Sequence, residues 1–99
     1  MIGIEIEMEV RPRKRSEFLQ ALESLVPSGE GAGACVSCAV YENVDHHNRF
    51  LWVERWPDRE QLQQRLSSDP FRALMGAVRV LADDSRMEVV LASDPQEEP

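Results

Sequence analysis

The most informative stretch of the sequence is Arg49-Phe50-Leu51-Trp52-Val53-Glu54-Arg55-Trp56. It alternates with the period of a strand, and one face carries Phe50, Trp52, Glu54 and Trp56. Burying a carboxylate among large aromatic side chains costs free energy unless the carboxylate has a partner. This face is therefore either a ligand pocket or a core in which Glu54 is paired.

Composition indicates one globular domain. The chain has 99 residues, of which 42% are hydrophobic and 29% charged. The formal net charge of −7 argues against nucleic acid as a partner, because phosphate binding needs a basic face. No apolar run approaches the roughly 18 residues of a membrane span, and the N-terminus lacks a signal-peptide pattern. We expect a cytoplasmic protein with no membrane partner and with reduced cysteines.

The remaining segments predict the order β-α-β-β-α-α-β. Strands are predicted over residues 2–10, 34–42, 49–56 and 87–92, helices over 16–26, 58–66 and 70–81, and a turn over 83–85. Asp58 and Asp69 are the predicted N-caps of the two later helices. This order predicts an α+β fold of the ferredoxin-like split βαβ type, an antiparallel sheet with helices on one face. Residues 1–93 form this domain, and 94–99 are predicted to be an acidic, disordered tail.

Two strands are apolar on both sides, which predicts a second layer. Leu51 and Val53 lie opposite the aromatic face, and the last strand places Val89 and Leu91 against Val90 and Ala92. The simplest second layer is another copy of the sheet, so we predict a two-fold homodimer. Glu5, Glu7 and Glu9 form an acidic stripe. It is either solvated or lines the dimer interior, where Arg55 or Arg86 would neutralise it.

Two further motifs are of the kinds that form metal or redox sites. Cys35 and Cys38 match C-x-x-C, but an offset of three within a strand sends the two sulfurs to opposite faces. His46 and His47 lie in a predicted loop without other ligands at convincing spacing. We therefore expect no metal site.

The sequence resembles the antibiotic biosynthesis monooxygenase (ABM) family from Ile4 to the last strand. The resemblance rests on Phe50-x-Trp52-x-Glu54-x-Trp56, then Asp58, a short helix, and the restart Leu66-Ser67-Ser68-Asp69-Pro70-Phe71. It implies a dimeric α+β barrel, and members include cofactor-independent oxygenases of quinols and polycyclic phenols. In that chemistry the aromatic substrate itself supplies electrons to dioxygen, so the resemblance implies no cofactor.

Carried over by resemblance, Glu54 and Trp56 match the E-x-W pair of the family. Trp56 would be a stacking wall, and Glu54 a proton acceptor or the orienter of a helix residue. Many members carry a histidine on the short helix where this chain has Arg65. An arginine can fix a phenolate or pair with Glu54, but it cannot act as a general base near neutral pH.

Three functions follow as hypotheses. The first is a monooxygenase of a small aromatic or quinol substrate, with Glu54, Trp56 and Arg65 as catalytic residues and Tyr41, Phe50, Trp52, Phe71 and Met75 as substrate contacts. The second is a non-catalytic dimeric module that binds a small ligand or a partner protein. The third is an isomerase, decarboxylase or cyclase with Glu54 as base. A Glu54–Arg65 pair sealed among aromatics favours the module, and an open pocket beside Trp56 favours an enzyme.

Overall fold

The computed structural model describes residues 1–26 and 35–91 of the chain. Its strands are β1 (Ile2–Val10), β2 (Ser37–Glu42), β3 (Arg49–Trp56) and β4 (Ala82–Leu91). They form one antiparallel sheet in the order β2-β3-β1-β4, which confirms the predicted α+β ferredoxin-like class. The predicted tail over 94–99 and the start of the second strand at residue 34 lie outside the described residues.

The helices are α1 (Arg15–Leu25), α2 (Arg59–Leu66) and α3 (Asp69–Leu81), and a short 3-10 helix (Pro12–Lys14) precedes α1. Asp58 caps α2 as predicted, since its carboxylate accepts a hydrogen bond from the backbone N–H of Gln61 (2.9 Å). The predicted cap of α3, Asp69, is wrong by one residue. Ser68 is the cap, because Pro70 has no N–H and Ser68 Oγ reaches the next donor, Phe71 N (3.3 Å).

The core lies between the helices and one face of the sheet. Alternate residues of β1 point into it, and the register places Ile4 beside Glu54 and Ile6 beside Trp52. The same face of β3 is buried at every second residue. The buried apolar residues are Ile2, Ile4, Ile6, Met8, Val10, Phe18, Phe50, Trp52, Trp56, Leu62, Phe71, Leu74, Val78, Leu81 and Ala82.

The predicted turn over 83–85 is wrong. These residues belong to β4, which begins directly after α3, and Asp84 pairs with Glu9 of β1. The junction is held by Arg11, whose backbone N–H donates to Leu81 O (3.0 Å) and whose Nε donates to Asp83 (2.7 Å). Charged residues favour a turn in a sequence-based prediction. An edge strand can also carry them, because it does not need a buried face.

The other sheet face is open in the single chain. It carries Glu5, Glu7 and Glu9 on β1 and the half-buried Leu51 and Val53 on β3. The last strand was predicted to be buried on both faces, but most of β4 is exposed in the single chain because β4 forms the edge of the sheet. The predicted second layer is not supplied by the described residues. None of the helices that they form is long and apolar enough to cross a membrane.

Candidate functional site

Three side chains meet at the carboxylate of Glu54 in the core. Trp52 Nε1 donates to Glu54 Oε2 (2.8 Å), and Trp56 Nε1 donates to Glu54 Oε1 (3.0 Å). Arg65 donates through Nε to Oε1 (2.9 Å) and through Nη2 to Oε2 (2.7 Å). Each carboxylate oxygen therefore accepts two hydrogen bonds. We call these four residues the Glu54 cluster.

Local structure explains how the Glu54 cluster assembles. Residues two apart on a strand share a face, so both tryptophans flank Glu54 on the helix side of β3. The cap at Asp58 starts α2 immediately after the strand, and α2 buries Leu62 and Arg65. The chain thus folds back over its own strand, and the two members of the ion pair are eleven positions apart in the sequence.

The Glu54 cluster is sealed from solvent. Glu54 is 0% exposed and Arg65 is 7% exposed. The guanidinium of Arg65 stacks over the ring of Phe71 (5.2 Å to the centroid). The backbone carbonyl of Arg65 accepts hydrogen bonds from Ser68 N (3.0 Å) and Ser68 Oγ (2.6 Å). Arg65 therefore ties β3, α2 and the start of α3 together.

This geometry limits what Glu54 can do chemically. A proton acceptor needs a free lone pair within hydrogen-bond reach of the substrate. Both oxygens of Glu54 are already occupied by charged and indole donors, in a bidentate arrangement that is among the strongest in proteins. Glu54 instead accepts hydrogen bonds from Arg65 of α2 and from the two indoles at the same time.

We give the name α1–β2 rim to a group of partly buried apolar residues in α1, in β2 and directly next to these elements. Cys38 pairs in register with Glu54, and Val40 pairs with Trp52 on the same sheet face. The residues of the α1–β2 rim are partly buried and pack against the core, and they are Leu22, Leu25, Val26, Cys35, Cys38 and Val40.

The two cysteines are free thiols, and both pack against the core. Cys35 precedes β2, so the strand alternation from which opposite faces were predicted does not apply to it. Burial, followed by the nearby charge of Glu54, raises the pKa of Cys38 to about 12. The same two causes raise the pKa of Cys35. Both thiols are therefore protonated near neutral pH and act as small apolar side chains.

The structure brings together most, but not all, of the predicted substrate contacts. Phe50, Trp52 and Phe71 are buried in the core, and Met75 is half buried against it. Tyr41 is not among them: it pairs in register with Leu51, lies on the open sheet face and is 57% exposed. Adjacent residues of a strand point to opposite faces, so Tyr41 points away from the face that carries Val40.

A cavity of about 330 Å³ opens on the other sheet face, away from the Glu54 cluster. Its charged walls partly neutralise each other, since Arg86 Nη2 lies 3.1 Å from Glu7 Oε2 and Arg49 Nη2 lies 3.8 Å from Glu9 Oε2. Within residues 1–26 and 35–91, no three His, Cys, Asp or Glu side chains are grouped so that they could hold a metal ion.

The model of the antibiotic biosynthesis monooxygenase family matches residues 1–77. The chain belongs to the ABM family. A protein of Bacillus subtilis named "Putative monooxygenase YcnE" is 30% identical over 63 residues, which are 64% of this chain and 66% of that protein. The aligned stretch is therefore just under two thirds of that relative's own length.

Solved structures show the same ABM fold at low identity. A conserved protein from Methanosarcina mazei Go1 matches with a TM-score of 0.80 at 22% identity, and the match covers 90% of this chain and 89% of that chain. A "putative antibiotic biosynthesis monooxygenase" from Deinococcus radiodurans matches with a TM-score of 0.82 at 16% identity, covering 95% and 94%. At these identities the likeness concerns the fold alone.

Sequence reasoning about this ABM domain missed some neighbours of the site. Cys38 and Val40 were not assigned to the site, although they share a sheet face with Glu54 and Trp52. Ser68, which holds the backbone of Arg65, was also missed. The alternation of side chains along β2 puts Cys38 and Val40 on one face. That this face is the one with Glu54 and Trp52 becomes known only from the register between β2 and β3.

Proposed function

We propose that this ABM-family chain is a cofactor-independent monooxygenase of a small, electron-rich aromatic molecule, such as a quinol, bound at the α1–β2 rim. The observation that carries the proposal is that two partly buried apolar residues of the rim, Cys38 and Val40, stand beside the buried Glu54 and Trp52 on one sheet face. A group of apolar side chains next to a rigid polar cluster suits a flat aromatic ligand. The family match supports the reaction class.

The proposed reaction balances without a further reductant. A ring CH₂ group of the substrate gives four electrons and two hydrogens to dioxygen: one oxygen atom forms the new C=O, and the other leaves as water with both hydrogens. The chain binds the ring, orients it and excludes bulk water. The Glu54 cluster fixes Trp56 and Arg65 as a rigid base of the site. Substrate protons pass to dioxygen-derived oxygen, and Glu54 takes no part in the transfer.

A second candidate is the non-catalytic module, which a Glu54–Arg65 pair sealed among aromatic side chains favours. Glu54 is closed by four hydrogen bonds, and its partner Arg65 stands where many family members carry a histidine. Such a site can bind a ligand without supplying acid or base. The same saturation of Glu54 disfavours an isomerase, decarboxylase or cyclase, because each of these needs Glu54 as a free base.

Tryptophan fluorescence separates these candidates. The chain has two tryptophans, and both belong to the Glu54 cluster, so quenching reports on the proposed site. We would titrate the protein with hydroquinones, naphthols and anthrones and then measure oxygen uptake with every compound that binds. Cys38→Phe fills the α1–β2 rim, and Val44→Phe is the matched control because Val44 is 95% exposed in the loop.

Each outcome is decisive. Saturable quenching with oxygen uptake, both lost in Cys38→Phe and retained in Val44→Phe, supports the monooxygenase. Quenching without uptake supports the ligand-binding module. Absence of quenching by every compound, or binding that Cys38→Phe leaves unchanged, contradicts the proposed site.

We also propose that the chain forms a homodimer through the open sheet face. Leu51 and Val53 lie half buried on this face, and Arg86 pairs with Glu7 of the acidic stripe, as an acid-lined interior would need. Among the described residues, Arg49 Nε is a buried donor without an acceptor, which a second copy would supply. Sedimentation equilibrium should show a dimer that Val53→Asp dissociates. A stable monomer of the parent at micromolar concentration contradicts this assembly.

A further inference from the structure

The two charged side chains of the candidate site are paired with each other, and this pairing determines which ligands can bind there. Glu54 and Arg65 have side chains that are 0% and 5% exposed, and two hydrogen bonds join them. One negative and one positive group at this distance present no net charge to a neighbour. A ligand at the α1–β2 rim therefore meets no free cation in the Glu54 cluster.

The α1–β2 rim adds no charge of its own. Its members are aliphatic side chains and two thiols. Burial raises the pKa of Cys38 to about 12, so a thiolate does not form near neutral pH. Among the described residues of the α1–β2 rim and the Glu54 cluster, the charged side chains are therefore the compensated pair Glu54 and Arg65. An anionic group bound there would lose its hydration and find no unpaired cation among these residues, which is strongly unfavourable.

The charge of the whole chain acts in the same direction. The formal net charge is −7, so the long-range field of the protein repels anions and lowers their concentration at the surface. A family member that recognises a carboxylated or phosphorylated substrate would need an unpaired arginine or lysine at this place. Here the arginine of α2 is already bound to Glu54.

We infer that the site selects uncharged aromatic ligands: phenols or quinols in their protonated form, and ring systems without carboxylate, sulfonate or phosphate groups. This inference rests on the proposed function, since it assigns a substrate class to the same site. It also assigns a role to the Glu54–Arg65 pair, which is to neutralise the arginine and thereby exclude anionic analogues.

Matched ligand pairs test the inference on the intact chain. Tryptophan quenching would be measured with 2-naphthol and with 6-hydroxy-2-naphthoate, which differ by one carboxylate. We expect the carboxylate to weaken binding at least about 100-fold. In Glu54→Gln the charge of Arg65 is no longer compensated, so the preference for the neutral ligand should shrink or reverse. Urea unfolding of this variant checks that it is folded.

A second measurement needs no variant. A phenol that ionises near neutral pH should bind the parent protein in its protonated form and lose affinity as the pH rises through the pKa of the ligand itself. Equal or tighter binding of the naphthoate, or of the phenolate, overturns the inference while the proposed ligand site stands. If neither member of any pair quenches, the proposed function itself fails, and the inference falls with it.

Discussion

Arg65 binds Glu54 side-on, with Nε 2.9 Å from Oε1 and Nη2 2.7 Å from Oε2, inside the core of the domain. Breaking a buried ion pair leaves one charge without a partner. We predict that Arg65→Met lowers the free energy of unfolding in urea by about 3–5 kcal/mol. The double variant Glu54→Gln/Arg65→Met should regain part of this loss, because it leaves no unpaired charge.

A surface pair provides the control for this experiment. Arg72 Nη1 lies 3.3 Å from Asp69, and both side chains are largely exposed. Arg72→Met should therefore change the free energy of unfolding by about 1 kcal/mol or less. A loss for Arg65→Met as small as that for Arg72→Met would mean that the buried pair does not stabilise the fold.

Trp52 is the largest fully buried side chain of the core, and its indole also binds Glu54. Trp52→Ala removes both the packing and the hydrogen bond, so we expect a loss of about 3–5 kcal/mol in unfolding free energy. Val44→Ala, at an exposed loop position, should lie within about 0.5 kcal/mol of the parent. If Trp52→Ala keeps its stability and loses only ligand binding, Trp52 is a ligand contact and not a core residue.

Glycine is required at one position beside the site. A Cβ at Gly3 would run into the backbone oxygen of Glu54, whereas a Cβ at Gly76 of α3 meets nothing within 4 Å. We predict that Gly3→Ala destabilises the protein by about 1–3 kcal/mol through overpacking. Gly76→Ala should stabilise it by about 0.5–1 kcal/mol because alanine favours the helix. Thermal unfolding of both variants measures the contrast, and an unchanged Gly3→Ala would contradict the close strand contact.

The cap of α3 can be assigned by substitution. Ser68 Oγ accepts from Phe71 N and donates to the carbonyl of Arg65, whereas Asp69 makes only an exposed pair with Arg72. Ser68→Ala should cost about 1–2 kcal/mol in urea unfolding. Asp69→Ala should cost at most about 0.5 kcal/mol. The reverse ranking would restore Asp69 as the cap.

Acid should weaken the link between α1 and the β2–β3 hairpin. Arg15 Nη2 donates to Glu42 (2.9 Å), and Asn48 N donates to the same carboxylate (2.9 Å). The hydrogen bond from Arg15, then that from Asn48, lowers the pKa of Glu42 from 4.5 to about 2. Because the folded pKa is the lower one, this stabilisation is complete above about pH 4.5 and is lost as the pH falls towards 2.

The free energies of unfolding of the parent and of Glu42→Gln, measured over this pH range, test the contribution of the Glu42 charge. The parent should be the more stable protein at neutral pH, and the two curves should converge in acid. A difference that stays constant down to pH 2 would show that the charge of Glu42 has no part in it. Glu17→Gln is a control, since its pair with Lys14 is an exposed contact between residues three apart, where the 3-10 helix meets α1.

Much of the fold was predictable because burial of one strand face gives the sequence a period of two residues. β1 and β3 alternate over their full lengths, and their bounds and mutual face follow from that pattern. The strand β4 carries charged residues from Asp83 to Glu88 and is mostly exposed, so no period marks its beginning. Cys35 was misplaced for a related reason, since a residue just outside a strand does not follow its alternation.

The site was predictable in part. The sequence placed Glu54 between two tryptophans and allowed a pair with Arg65, because a buried carboxylate needs partners. That both indoles donate to the same carboxylate depends on rotamers and on the path of α2, which the pattern does not encode. Tyr41 was assigned to the site, and only the register between β2 and β3 shows that it lies on the other sheet face.

The most direct test of the Glu54 cluster is hydrogen exchange of the two indole N–H groups, followed by NMR of the ¹⁵N-labelled protein. The chain has two tryptophans, so two resonances are expected, and Trp52→Phe assigns them. Both protons should be protected from exchange, since both bind Glu54 in the core, and both should shift in Glu54→Gln. Rapid exchange of either proton, or an indole that does not respond to Glu54→Gln, would contradict a closed cluster and reopen Glu54 as a catalytic base.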